Sequence, residues 1–331
     1  MSNKPKIAFY WCASCGGCEE SVVDLAEDIL TVVENVDIVL WPVAMDFKRK
    51  DVEALPDKDI ACTMINGAIR TTEQEDMAHL LRRKSQVLIA YGSCAHTGGI
   101  PGLANQFERA QIMRFIYHEA STVANPNGTE PVEHPVQRGH ELELPGFQNL
   151  VRALDQVIDV DYYIPGCAPD PGLLLNAVRA LLGGELPAKG SVLAPNLAQC
   201  DKCPRIDSKP ADLKIAAFKR PHLHPIEPDI CLLAQGFACL GPATRGGCGE
   251  KCMRANMPCS GCYGPLPNVQ DHGAKALAVL CSLIGANDEA KIDEALEGIP
   301  DPVGTFYRYG LSKSMLRRKV TLTMSGGRRN G

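Results

Sequence analysis

The stretch Trp11-Cys12-Ala13-Ser14-Cys15-Gly16-Gly17-Cys18-Glu19-Glu20-Ser21 sets cysteines among glycines directly after the apolar run Ile7-Ala8-Phe9-Tyr10. Glycine allows positive φ and close backbone approach, so thiolates and backbone N–H groups can converge there on one bound object. If the stretch opens a helix, its unpaired N–H groups and dipole favour an anion. A thiolate-ligated iron–sulfur cluster is such an anion, and a four-iron cluster takes four thiolates. Two other turns supply the balance. Cys94 lies in Tyr91-Gly92-Ser93-Cys94-Ala95-His96-Thr97-Gly98-Gly99-Ile100, and Cys167 in Pro165-Gly166-Cys167-Ala168-Pro169. Cys15, Cys18, Cys94 and Cys167 together make one four-thiolate set.

Eight further cysteines fall between Pro195 and Pro267: Cys200, Cys203, Cys231, Cys239, Cys248, Cys252, Cys259 and Cys262. Cys200-Asp-Lys-Cys203 and Cys259-Ser-Gly-Cys262 are C-x-x-C pairs, which let two thiolates grip one centre from a single turn. Zinc accepts the same geometry, so two zinc-ribbon-like sites are a rival reading. Number favours clusters: eight cysteines make two complete sets beside the one in the first domain, and three four-thiolate sites resemble a redox chain. His222 and His224 lie between Cys203 and Cys231, where an imidazole could replace a thiolate. Cys62 and Cys281 sit in apolar runs and read as buried small side chains. Cys12 extends the first motif to Cys12-x-x-Cys15-x-x-Cys18 and competes with its neighbours as a ligand.

These turns need strands to place them. Ile7–Tyr10, 37–41, 60–65, 86–90 and 160–164 are short apolar runs, alternating with helical patterns over 22–33, 72–84 and 172–182. The alternation predicts an α/β fold: a mostly parallel sheet with helices on both faces and ligands beyond the strand carboxyl ends. Residues 118–146 have no sustained periodicity and read as a long loop. After Leu182 the pattern shifts to Cys, Pro and Gly, with too few regularly spaced apolar residues for an ordinary core. A helical pattern returns over 272–297. The end of the chain carries Lys313, Arg317, Arg318, Lys319, Arg328 and Arg329, a charge run that reads as a solvated tail.

With 331 residues and 45% hydrophobic content the chain has room for two domains. A formal net charge of -5 gives no basic excess for nucleic acid. Fifteen cysteines without a signal peptide argue for metal or redox use rather than disulfides. No long apolar segment suggests a membrane span and no twin-arginine signal is present, so a cytoplasmic protein is expected.

Cys15-Gly-Gly-Cys18-Glu-Glu20-Ser21, Gly92-Ser-Cys94-Ala-His-Thr-Gly98-Gly99 and Pro165-Gly166-Cys167 resemble the proximal-cluster motifs of nickel–iron hydrogenase small subunits. Cys231 to Cys239, Gly241-Pro242-Ala243-Thr244, Cys248 and Pro258-Cys259-Ser-Gly-Cys262 follow the order of that family's remaining ligands. The similarity spans about residues 7 to 265. Within the family the chain looks most like the cytoplasmic methyl-viologen-reducing type associated with heterodisulfide reductase, because it lacks an export signal and has Cys at position 200. Departures from the pattern include Gly16, Ala168, the gap between Cys231 and Cys239, and the additional Cys12.

The resemblance implies a flavodoxin-like parallel-sheet domain over 1–185. A small, cysteine-rich, mostly irregular iron–sulfur domain would follow over 195–270, then a C-terminal helix and basic tail over 271–331. It implies three 4Fe-4S clusters: proximal on Cys15, Cys18, Cys94 and Cys167, distal on Cys200, Cys203, Cys231 and Cys239, and medial on Cys248, Cys252, Cys259 and Cys262. Glu20 would be a proton relay facing the large subunit, although from residues alone it is an acid favoured by a helix N-terminus. The nickel–iron centre would belong to the partner large subunit, with a small iron–sulfur adaptor and heterodisulfide reductase subunits as further partners. The rival class with cluster chemistry is an electron carrier without hydrogen chemistry, related to the quinone-reductase subunit.

Overall fold

A computed structural model describes residues 4–317. Five parallel strands form the main sheet: Lys6–Trp11, Asp37–Leu40, Ile60–Asn66, Ser85–Tyr91 and Tyr162–Ile164. The first lies between the second and third, and the rest follow in chain order. This is the flavodoxin-like order, whose switch point is at the carboxyl end of the first strand. Alternation along the strands feeds two cores. Ile7, Phe9, Ile89 and Tyr91 meet Leu174, Leu175 and Val178 of the helix Pro171–Gly183 on one face. Ala8, Leu88 and Ala90 meet Met77, Leu80 and Leu81 of the helix Thr72–Lys84 on the other. Each buried Leu, Ile or Phe contributes about 1.5–3 kcal/mol to holding that sandwich.

The expected α/β architecture, with an irregular cysteine-rich region after it, is observed, but two expected helices are each broken. Residues 22–33 contain the end of Gly17–Val23 and most of Asp28–Asn35, separated at Ala26, whose φ is +50°. Glu20, Asp24 and Asp28 would stack as like charges four apart on one continuous helix, which disfavours it. The break lets Val22, Leu25 and Val32 all turn inward while Val23 and Leu30 face out. Residues 272–297 likewise divide into His272–Ser282 and Glu289–Leu296, the second restarted by Asp288, whose side chain accepts from Lys291 N.

The 118–146 stretch is largely irregular, with one two-residue hairpin, Val136–Gln137 against His140–Glu141. An unforeseen antiparallel pair, Ile69–Thr71 with Phe147–Arg152, closes its base. The cysteine-rich region does have an apolar core, but takes part of it from downstream: Leu213, Phe218, Leu232, Phe237 and Leu240 pack with Ala276, Leu280, Phe306 and Leu311. Among the described residues no helix is long and apolar enough to cross a membrane.

The expectation of a solvated basic end fails at Lys313, which pairs with Asp155 at 2.5 Å and lies over the Tyr163 ring. Arg318, Lys319, Arg328 and Arg329 lie outside the described residues.

Candidate cluster-binding site

All fifteen cysteines are free thiols. Cys15 and Cys18 follow the first sheet strand, where Gly16, at φ +91°, turns the chain into the helix Gly17–Val23. Cys94 sits in the short helix Ser93–Thr97 beyond the fourth strand, and Cys167 follows the fifth. The last two turns are tied together by Gly92 N to Ile164 O and Ser93 N to Gly166 O, both 2.8 Å. Gly92 has φ +85°, and a Cβ there would overlap Cys18 Sγ, so glycine is what lets the two turns close on the thiol.

Electrostatics identify which thiols share a neighbourhood. Burial pushes Cys18 up, and Cys94, Cys167 and Cys15 push it further. Burial raises Cys94 to about 12, helped by Cys167 and Cys15 and opposed by the Ile100 backbone. In the second group, burial and then Cys239 raise Cys200 to about 12, with Cys203 and Cys231 adding to the shift. In the third, burial raises Cys262 to about 12, with Cys248 and Cys252 adding to it. Cys259 is held well above the ordinary thiol range by burial first and then by Cys239 of the second group, with Cys262 and Cys252 adding less. These influences run mostly within Cys15, Cys18, Cys94 and Cys167, within Cys200, Cys203, Cys231 and Cys239, and within Cys248, Cys252, Cys259 and Cys262, while Cys239 on Cys259 and Cys167 on Cys262 cross from one set to the next. Four thiols crowded without a cation oppose one another's ionisation, and a bound cation would relieve that.

Four thiols form the ligand set of a four-iron cluster, in which each sulfur meets a different iron. A single ion needs a tighter cage, and among the described residues no three His, Cys, Asp or Glu side chains form one. His222 and His224 are exposed, and His222 lines a groove beside Cys252 and Cys259. Cys12 is buried, and burial and then Glu73, rather than the other thiols, push it up. Cys62 is fully buried as expected, whereas Cys281 is exposed: it lies on the outer side of the helix that gives Ala276 and Leu280 to the core.

Backbone N–H groups link the three groups end to end. The Cys167 backbone bonds to the Cys262 thiol, and Cys259 N donates to Cys239 Sγ at 3.3 Å. Ser93 Oγ also donates to Cys262 O at 2.5 Å. Arg205, 5% exposed, holds the cysteine-bearing loops of the last two groups together: it donates to Glu227 O, Ile230 O, Met253 O and Asn256 Oδ1. Sequence patterns do not reveal this brace, because its acceptors are mostly main-chain carbonyls.

The two adjacent glutamates separate sharply. Glu20 is exposed in the first turn of its helix, as Cys15 is in the turn before it. Glu19 is 5% exposed, and its carboxylate accepts from Trp41 Nε1 and Asn66 Nδ2. Burial raises Glu19 while those two bonds oppose the rise. Sequence reasoning misses Glu19 as a structural residue, although its spacing from Cys18 and Val22 on one helix offers a signal.

The family model described as NADH ubiquinone oxidoreductase, 20 Kd subunit, matches residues 15–181. The iron-sulfur G subunit of the F420-non-reducing hydrogenase of Archaeoglobus profundus is 37% identical, covering 95% of this chain and 98% of its own. The G subunit of the F420-non-reducing hydrogenase of Methanothermobacter thermautotrophicus is 35% identical, covering 97% and 98%. A solved chain of the [NiFeSe] hydrogenase from Desulfovibrio vulgaris Hildenborough aligns with a TM-score of 0.50, covering 81% of this chain and 96% of its own; at 17% identity it bears on fold alone. These relatives correct the expected subtype, since they are G subunits of F420-non-reducing hydrogenases and not the methyl-viologen-reducing, heterodisulfide-reductase-associated type that the motifs suggested. With end-to-end likeness above 30% identity, the chain belongs to the family of F420-non-reducing hydrogenase G subunits.

Proposed function

We propose that this chain is the cytoplasmic electron-transfer subunit of a nickel–iron hydrogenase, relaying electrons between a large-subunit active site and an external acceptor through three 4Fe-4S clusters. The observation that carries the proposal is the pair of backbone N–H to sulfur bonds joining the three four-thiol groups in series. Cys15, Cys18, Cys94 and Cys167 would hold the proximal cluster, Cys248, Cys252, Cys259 and Cys262 the medial one, and Cys200, Cys203, Cys231 and Cys239 the distal one. Bound there, the clusters supply reversible one-electron uptake.

The chain's own residues cage and tune. Burial raises Cys239 to about 11 even though the Gly241 and Cys259 backbone groups favour its ionised sulfur. Such hydrogen bonds to sulfur are among the protein's means of setting potential. Exposed Cys15 and Cys167 mark the face that meets the large subunit, which holds the nickel. Glu20, exposed in the first turn of the helix that follows Cys15, would pass protons at that face. An iron–sulfur adaptor subunit is the partner expected at the distal end.

The rival reading, an electron carrier without hydrogen chemistry, draws on the quinone-oxidoreductase match, but that match ends at residue 181 and leaves out eight of the twelve cysteines. Anaerobic co-purification tests the proposal: about twelve irons and twelve sulfides per chain are expected, with nickel arriving on an accompanying large subunit. Four irons with the first group fully occupied would refute the three-cluster series. Zinc in place of iron would favour the structural alternative, and absence of nickel from an intact complex would favour the rival carrier.

A further inference from the structure

A groove of about 580 Å³ opens beside the third thiol group, with Cys252 and Cys259 in its wall. Lys219, Arg220, His222 and Arg308 line it, against a single acid, Asp301. The Asp301 carboxylate is engaged in starting the helix Pro302–Phe306, accepting from Gly304 N at 2.8 Å. The groove is therefore locally positive on a chain whose net charge is -5. Its lining is also partly apolar, with Met257, Pro258, Ile299 and Pro300. Apolar and basic side chains together, with two thiols of the third group in the wall, suit a protein interface through which electrons pass.

The basic pair is also held in place. Lys219 N donates to Gly236 O at 2.8 Å, and Lys219 bridges Phe237, two residues before Cys239. Gly236 has φ +88°, and a Cβ there would meet Ala217 O at 2.9 Å, so this crossing leaves little room for rearrangement. Lys219 and Arg220 are thus presented from a fixed backbone while their side chains remain exposed. Preorganised charges of one sign steer a partner of opposite sign and speed its arrival.

We propose that this groove docks a small acidic one-electron carrier protein, giving the subunit a second electron port on the flank of the series, beside the third group. The inference rests on the reading of that group as a cluster. The alternative role for the same cations, balancing the charge of a cluster beneath them, would act equally on every acceptor.

The test uses the intact hydrogenase complex with two acceptors: a plant-type ferredoxin, which is small and acidic, and methyl viologen, a cationic dye. The Lys219→Gln/Arg220→Gln variant should lower kcat/KM for ferredoxin about tenfold at low ionic strength and flatten its salt dependence. Its Kd for ferredoxin, measured by titration without turnover, should weaken by the same factor, and methyl viologen reduction should be unchanged. Unchanged ferredoxin affinity would overturn docking, as would equal loss with both acceptors. Iron and sulfide are measured on the same samples. About twelve of each with unchanged affinity would refute the port alone, whereas a third group without iron in the unsubstituted complex would refute the cluster reading itself. The single Arg220→Gln variant gives the same comparison with a smaller surface change.

Discussion

Gly99→Ala probes the close approach around the first thiol group. Gly99 has φ +55° and ψ −159°, a region that side chains rarely occupy, and holding alanine there costs about 1–3 kcal/mol. Its Cβ would fall 2.5 Å from Cys94 Sγ, 2.7 Å from Cys94 Cα and 3.0 Å from Cys94 N. Two of those three atoms are main chain and cannot rotate away, so overpacking adds about 1–3 kcal/mol. The sum, about 2–6 kcal/mol, falls on the residue proposed to ligate the proximal cluster. Gly184→Ala is the control: it also has positive φ, at +70°, but a Cβ there meets nothing within 4 Å. It should cost only the left-handed penalty, about 1–2 kcal/mol. Urea unfolding and iron content of both variants, purified anaerobically, give the comparison. Gly99→Ala should lose the reduced-state EPR signal of the first cluster and about four irons, while Gly184→Ala keeps both. Full iron in Gly99→Ala, with an unfolding midpoint equal to that of Gly184→Ala, would refute the reasoning.

The remaining predictions concern single side chains. Cys12→Ala should retain full iron and hydrogen-dependent dye reduction, whereas Cys15→Ala should lose both; the opposite result would show that the ligand register is displaced. Glu20→Gln should assemble with normal metal content yet lose most hydrogen–deuterium exchange, and full exchange in the assembled complex would remove its relay role. Glu19→Gln is expected to be destabilising by about 1–3 kcal/mol in urea unfolding, because a buried amide N–H₂ would face either the Trp41 or the Asn66 donor. His272 is 9% exposed, and burial holds it down at about 4 against an ordinary 6.5, with Asp271 and the Ala243 backbone opposing. Protonation therefore favours the unfolded chain: stability is full above pH 6.5 and falls as the pH drops towards 4, by about 2 kcal/mol at pH 5. His272→Gln should flatten that slope in urea midpoints between pH 7.5 and 5, and an unchanged slope would exclude His272 as its source.

Strand positions were legible because a parallel sheet buried on both faces demands short continuous apolar runs, as Val87–Ala90 shows. The strand-end cysteines were legible for the same reason, since each follows such a run within a few residues. The break at Ala26 was hidden because Val22, Leu25, Ile29 and Val32 keep helical spacing across two helices that both face the sheet. The pairing of Ile69–Thr71 with Phe147–Arg152 was hidden because its three- and six-residue strands lie far apart in sequence. The different environments of Glu19 and Glu20 depend on Trp41 and Asn66, which lie on separate strand ends. Composition likewise marked Lys313 as part of a tail, because nothing local in the sequence reveals Asp155 as its partner.

The segment around Tyr309–Ser312 braces the loop that carries Cys94. Gly99 N and Thr97 Oγ1 both donate to Tyr309 O, Gln156 Nε2 donates to Ser312 O, and a Cβ at Gly98 or Gly102 would run into Ser312 Oγ. A ribosome makes this segment more than two hundred residues after Cys94, near the end of the described chain. The parallel sheet can assemble while synthesis continues, since domains generally fold in order of emergence. The Cys94 loop, however, acquires its brace only when Tyr309 to Ser312 have left the exit tunnel, so the first site to be synthesised is among the last to be finished.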